Sequence, residues 1–224
     1  MSTEPVTDPL SETTPGPDAR SVILARVRAS LQDGPRVPEI PRAYRRRSEL
    51  ARESVVEMLV DRLVDYKAAV FQESLETLPQ RLAQLLGRER TAVPDGLDPA
   101  WLPEGLSIVR DQGPAGGPLS ARALDEVQAV VTSSTVSCAE TGTIFLNSSP
   151  EEGRRALTLV PDHHVCIVAL DTVVELIPEA FERVTPDAPI TMISGPSATS
   201  DIELERVEGV HGPRRLDVVL LDRG

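Results

Sequence analysis

Short apolar runs that do not alternate with polar residues recur from Ala68 to Leu221 and constrain this chain most. A strand with one face in water alternates apolar and polar positions, whereas a strand covered on both faces has no need to. Runs of this kind fall at Ala68 to Phe71, Thr91 to Val93, Leu106 to Val109, Ala129 to Thr132, Thr143 to Leu146, Val165 to Leu170, Ile190 to Ile193 and Leu216 to Leu221. Helical patterns and turn residues separate them, such as Ser74 to Leu86 ended by Gly87. The pattern predicts an α/β fold built on an open, mainly parallel sheet with flanking helices. With 224 residues, one such domain plus an appendage accounts for the chain.

The appendage is N-terminal. Residues 1–18 hold four prolines in a Ser, Thr, Asp and Glu background, which predicts a disordered tail. Residues 19–66 read as two helices, Ser21 to Leu31 and about Ser48 to Asp65, joined by an extended proline- and arginine-rich arm that ends in Arg42, Arg45, Arg46 and Arg47. The arm is either a solvated linker or a docking segment for an acidic partner. Residues 67–224 form the α/β domain, and no internal repeat is evident.

Charge and composition remove several functions. The net charge of −12 repels a polyanion, and six scattered aromatics offer no stacking platform, so nucleic acid is not an expected partner. Lys67 is the only lysine and follows no glycine-rich loop, which disfavours a P-loop and Schiff-base chemistry. Cys138 and Cys166 are 28 positions apart and cannot hold an iron–sulfur or zinc cluster by themselves. His163 and His164 are adjacent on an extended run and point to opposite faces, so no metal site is expected. The N-terminus has no apolar core of a signal peptide and no run approaches the ~20 residues of a spanning helix, so the expected location is cytoplasmic, away from a membrane.

Three segments crowd glycine, hydroxyl and charge at strand ends, where open parallel sheets bind ligands. In the first, Glu140, Thr141, Gly142 and Thr143 combine a carboxylate with two hydroxyls and a turn-forming glycine. It reads as a site with Glu140 as nucleophile or general base, or as a hairpin turn with an exposed glutamate. In the second, Ser194, Gly195, Pro196 and Ser197 lead through Thr199 toward Asp201 and a short helix over Ser200 to Glu205. Free amides there suit a phosphate or carboxylate, while Asp201 and Glu203 equally satisfy the helix dipole without a ligand. In the third, Gly209 and Gly212 flank His211, a candidate acid or base or a structural hydrogen bonder.

These blocks, Ala139 to Thr143, Ile193 to Ser197 with Asp201 to Glu203, and Gly209 to Pro213 before an apolar C-terminal strand, resemble the LUD-domain family in order and spacing across Lys67 to Leu221. The resemblance implies a fold similar to the sugar-phosphate isomerases and coenzyme A transferases. It implies a role in oxidising L-lactate to pyruvate as one of three proteins, with iron–sulfur clusters on the partner subunits and no cofactor bound by this chain alone. The chain then has a non-catalytic or co-catalytic place in that system. Its pocket would comprise Glu140, Thr141, Gly142, Thr143, Ser194, Gly195, Pro196, Ser197, Thr199, Asp201, Gly209, His211 and Gly212, holding a small carboxylate or phosphate ligand. One departure is Ala198, where the family tends to carry a basic residue. The alternative is a stand-alone transferase or isomerase with Glu140 at its centre, an analogy of fold alone. The pocket requires the three loops to meet at one rim of a single sheet.

Overall fold

The structure is a computed structural model that describes residues 18–32, 34, 38–111, 117–199, 207–208 and 212–224. The chain divides into two compact units, residues 1–43 and 44–224. In the first, helix α1 (Ala19–Ser30) starts where the Asp18 side chain accepts the Arg20 amide, and it buries none of its residues.

The second unit contains helix α2 (Arg52–Asp65), strand β1 (Ala69–Ser74), helix α3 (Leu78–Leu86), β2 (Thr91–Pro94), β3 (Ile108–Asp111), α4 (Ala121–Asp125), β4 (Ala129–Thr132), β5 (Val136–Cys138) and β6 (Thr143–Leu146). It continues through β7 (His163–Ala169), β8 (Val173–Val174), α5 (Ile177–Phe181), β9 (Thr191–Ile193), β10 (Ala198–Thr199), β11 (Val207–Glu208) and β12 (Arg215–Asp222). Six strands form an all-parallel sheet in the order β1-β12-β7-β4-β2-β3. The expected parallel sheet is therefore present, and its central strands are the longest apolar runs. All seven residues of β7 are buried, as are the six interior residues of β12.

Period-two geometry splits the core between the two faces of this sheet. On one face Cys166 and Val168 of β7 meet Leu216, Val218 and Leu220 of β12 and the α2 stripe of Val55, Leu59 and Leu63. On the other, Val165, Ile167, Val219 and Leu221 meet Leu78, Leu82 and Leu86, which repeat every fourth residue along α3. Helix α2, grouped on sequence with the N-terminal extension, is thus part of this unit's core. It ends in a pair of reverse bonds, Lys67 N–H to Val64 O at 2.9 Å and Ala68 N–H to Leu63 O at 2.9 Å, which hold Lys67 at φ +71°.

One expectation is corrected. The runs Thr143 to Leu146 and Ile190 to Ile193 do not join the parallel sheet but form a second, mixed sheet in the order β8-β5-β6-β9. Strands β5, β6 and β8 lack alternation because they too are covered twice, whereas β9 lies at the edge with Met192 exposed. Ile144 and Leu146 enter the core under the main sheet, while Phe145 faces Val136, Cys138, Ala180 and Val184 on the far side. Burial on two faces does not distinguish a parallel sheet from a small sheet lying between that sheet and α5. Thr199, read as a possible helix cap, lies in β10 paired with Val207 of β11, and the expected helix over Ser200 to Glu205 falls outside the described residues.

Candidate functional site

The glutamate turn links β5 to β6, and the glycine-proline turn follows β9 at the other side of β6. Thr143 Oγ1 bridges them, 2.9 Å from Ser194 Oγ and 2.8 Å from Thr141 Oγ1. The end of α2 is clamped against both turns. A Cβ on Gly142 would lie 2.7 Å from Arg62 Cβ and 3.2 Å from the Tyr66 ring, and one on Gly195 would lie 2.7 Å from Tyr66 Cβ. Both glycines have positive φ, +60° and +83°. Their role in the fold is therefore close approach to α2.

The glycine-proline turn also meets the segment before β12. The Ser197 amide donates to Pro213 O at 2.8 Å, so this N–H is not available to an anion. Between the two segments lies a cavity of about 230 Å³, lined by Ser194, Gly195, Pro196, Ser197, Gly212 and Pro213 together with Arg155, Thr158 and His164. It sits beside the amino ends of β7 and β12, where His164 and Leu216 pair in register. His211, Asp201 and Gly209 lie outside the described residues.

Glu140 is not among the residues lining this cavity. Its carboxylate is paired with Arg45, which also donates to the buried Glu175 at 3.0 Å. Ser48 Oγ donates to the other Glu175 oxygen at 2.6 Å, and Arg47 pairs with Glu182 at 2.8 Å. Arg45 and Arg47 of the arm thus engage this chain's own carboxylates. The structure brings Thr143, Ser194, Gly195, Pro196, Ser197 and Gly212 together, and leaves the Glu140 carboxylate at an ion pair outside the cavity.

The two histidines face opposite ways, as extended geometry requires. His163 bridges two carboxylates, Nδ1 to Glu89 at 2.8 Å and Nε2 to Asp217 at 3.0 Å, and Arg215 adds a 2.7 Å contact to Asp217. Burial would raise the Asp217 pKa, but hydrogen bonds from His163 and Arg215 outweigh it and hold the carboxyl below its ordinary value. Asp162 is likewise held low by a two-pronged bond from Arg214, 2.7 Å at each oxygen. His164 enters the opposite face, with Nε2 2.8 Å from Thr132 Oγ1. Complete burial, then the charges of His163 and Arg155, pull its pKa down to about 3, so the ring is neutral at physiological pH. Burial pushes the neighbouring Cys166 thiol up to about 12, which leaves it unreactive.

Residues singled out by no sequence signal complete the surroundings. Glu152 is 1% exposed and accepts from Thr135 Oγ1 at 2.6 Å, the Asn147 amide at 2.6 Å and the Ser149 amide at 3.0 Å. Asp111 receives both prongs of Arg154 at 2.9 and 3.1 Å. Among the described residues no group of three His, Cys, Asp or Glu side chains is placed to hold a metal ion, and no helix is long and apolar enough to cross a membrane.

Comparison with known proteins adds a family. A model described as LUD domain matches residues 115–221. A Deinococcus radiodurans protein named Lactate utilization protein C is 43% identical over 189 residues, covering 82% of this chain and 87% of that protein. A Geobacillus kaustophilus protein of the same name is 32% identical over 183 residues, covering 69% and 75% respectively. In three dimensions, the crystal structure of a DUF162 family protein from Deinococcus radiodurans matches with a TM-score of 0.67 at 38% identity, covering 77% of this chain and 99% of that one.

Proposed function

The chain belongs to the LUD-domain family, and from that premise we propose that it serves lactate utilization as a subunit of a cytoplasmic, iron–sulfur-dependent system oxidising L-lactate to pyruvate. The observation that carries this reading is the 43% identity to Lactate utilization protein C over 87% of that protein's length. Likeness over so much of both chains is more than that of an isolated motif.

The clusters would belong to partner subunits. Cys138 and Cys166 are both buried, and two thiols do not make the four-thiolate set a cluster needs. This chain's own contribution is the cavity beside Ser194 to Ser197 and Gly212, which would hold a small carboxylate or phosphate ligand. The placement of Glu140, paired with Arg45 away from the cavity, gives no support to a transferase or isomerase that uses it as nucleophile.

Deletion of this gene alone, with its neighbours intact, tests the role. Loss of growth on L-lactate, restored by the gene supplied in trans, is the expected result. Full growth of the deletion strain would reject the reading.

A further inference from the structure

The cavity contains two groups that neither the motifs nor the relatives' names assign. His164 is 1% exposed and lines it, yet only one ring nitrogen is engaged: Nε2 bonds Thr132 Oγ1, and Nδ1 has no hydrogen-bond partner among the described residues. The ring itself borders the cavity. A buried polar atom in that position is a hydrogen bond waiting for a ligand.

The second group is Arg155. It lines the same cavity from an exposed position, donates to Thr158 Oγ1 at 3.2 Å and has no carboxylate partner among the described residues. Among the described residues Arg52, Arg110 and Arg183 bond backbone carbonyls and Arg45, Arg47, Arg81, Arg154, Arg214 and Arg215 sit on carboxylates, whereas Arg155 borders this cavity without a carboxylate. A guanidinium left without one, and losing hydration to its surroundings, is a docking point for an anion that arrives from solution. The volume of about 230 Å³ falls below the ~300–1,000 Å³ of sites for drug-sized ligands, which favours an acid of a few carbons over a nucleotide. Ile193 and Leu216 supply apolar wall for a methyl group.

Resting on the lactate-utilization reading, we propose that this cavity binds a small 2-hydroxy- or 2-oxocarboxylate, with Arg155 holding the carboxylate and His164 Nδ1 hydrogen-bonding the oxygen on C2. The neutral imidazole serves both oxidation states. With its proton on Nε2 it donates to Thr132 Oγ1, and Nδ1 accepts from a 2-hydroxyl. With the proton on Nδ1 it donates to a 2-oxo group, and the Thr132 hydroxyl rotates to donate to Nε2.

Titration calorimetry on the full chain tests the assignment with four probes: L-lactate, pyruvate, acetate, which lacks an oxygen on C2, and inorganic phosphate. Saturable binding of lactate and pyruvate, each about tenfold or more tighter than acetate and phosphate, is expected, and Arg155→Gln should weaken both acids about tenfold or more. Because a substitution at buried His164 could unfold the chain, Thr132→Val is the second variant, expected to change the ratio of lactate to pyruvate affinity by removing the hydroxyl that sets the tautomer. Absence of saturable binding for both acids, acetate or phosphate binding as tightly, or an Arg155→Gln affinity equal to wild type would each overturn the proposal. Failure here is separable from failure of the role: if the deletion strain cannot grow on L-lactate while the purified chain binds neither acid, the ligand assignment falls and the role stands.

Discussion

Gly195→Ala probes the contact that holds the cavity together. The backbone there has φ +83°, a region that costs a residue with a Cβ about 1–2 kcal/mol. The added carbon would also lie 2.7 Å from Tyr66 Cβ and 3.0 Å from Tyr66 O, atoms that cannot swing aside because one is backbone and the other is bonded to it. Relieving that overlap means shifting the end of α2, and overpacking of this kind costs about 1–3 kcal/mol. The sum is about 2–5 kcal/mol, a large part of the ~5–15 kcal/mol by which a domain is stable. Gly105→Ala is the matched control, with φ +86° and nothing within 4 Å of an added Cβ, so it carries only the conformational part. Urea unfolding of both variants, followed by circular dichroism, separates the two contributions. If Gly195→Ala is no less stable than Gly105→Ala, the clamp between Tyr66 and the glycine-proline turn does not hold as described.

Three further outcomes follow from the same coordinates. Lys67→Gly should raise stability by about 1 kcal/mol, seen as a higher urea midpoint, because glycine adopts the left-handed turn after α2 at no steric cost. Glu152→Gln should lower stability by about 2–3 kcal/mol, since an amide cannot accept from Thr135, Asn147 and Ser149 as a carboxylate does, and a loss under ~0.5 kcal/mol would contradict that network. The His164 pKa is depressed to about 3 by burial against about 6.5 when unfolded, so between those values the unfolded chain binds the extra proton. Stability should therefore fall by about 1.4 kcal/mol for each pH unit below 6.5, and His164→Gln should remove that share of the slope in urea midpoints compared at pH 7, 6 and 5.

The sheet was legible because its signal is local and strong. Val165 to Leu170 has no polar interruption and Leu216 to Leu221 only Asp217, and they became interior strands of the parallel sheet. The second sheet was hidden for two reasons. Val136–Cys138 and Val173–Val174 are too short to show a period, and α5 opens with Ile177-Pro178, whose proline at the first turn reads equally as a break. The cavity divides along the same line. Ser194 to Ser197 and Gly212 advertise themselves through glycine, proline and hydroxyls, and they meet. Arg155 follows a turn of Ser148, Ser149, Pro150 and Gly153 that carries no carboxylate-binding signature of its own, and His164 drew notice as one of an adjacent pair weighed for metal. Its significance comes from Thr132, 32 positions away, which occupies one nitrogen and leaves the other. Glu140 shows the converse: crowding of glycine and hydroxyls around a carboxylate did not reveal that Arg45, 95 positions earlier, neutralises it.

Strand order has a consequence for where this domain can be cut. The stretch matched by the LUD-domain model, residues 115–221, carries β4, β7 and β12, the three middle strands of the parallel sheet, while β1 on one flank and β2 and β3 on the other come from earlier in the chain. Trimmed to that stretch, the polypeptide would expose two unpaired margins, the long β12 and the short β4, each a template for pairing with a neighbouring molecule. The segment before residue 115 is thus the selvedge of the fabric: it keeps the sheet from fraying into its neighbours.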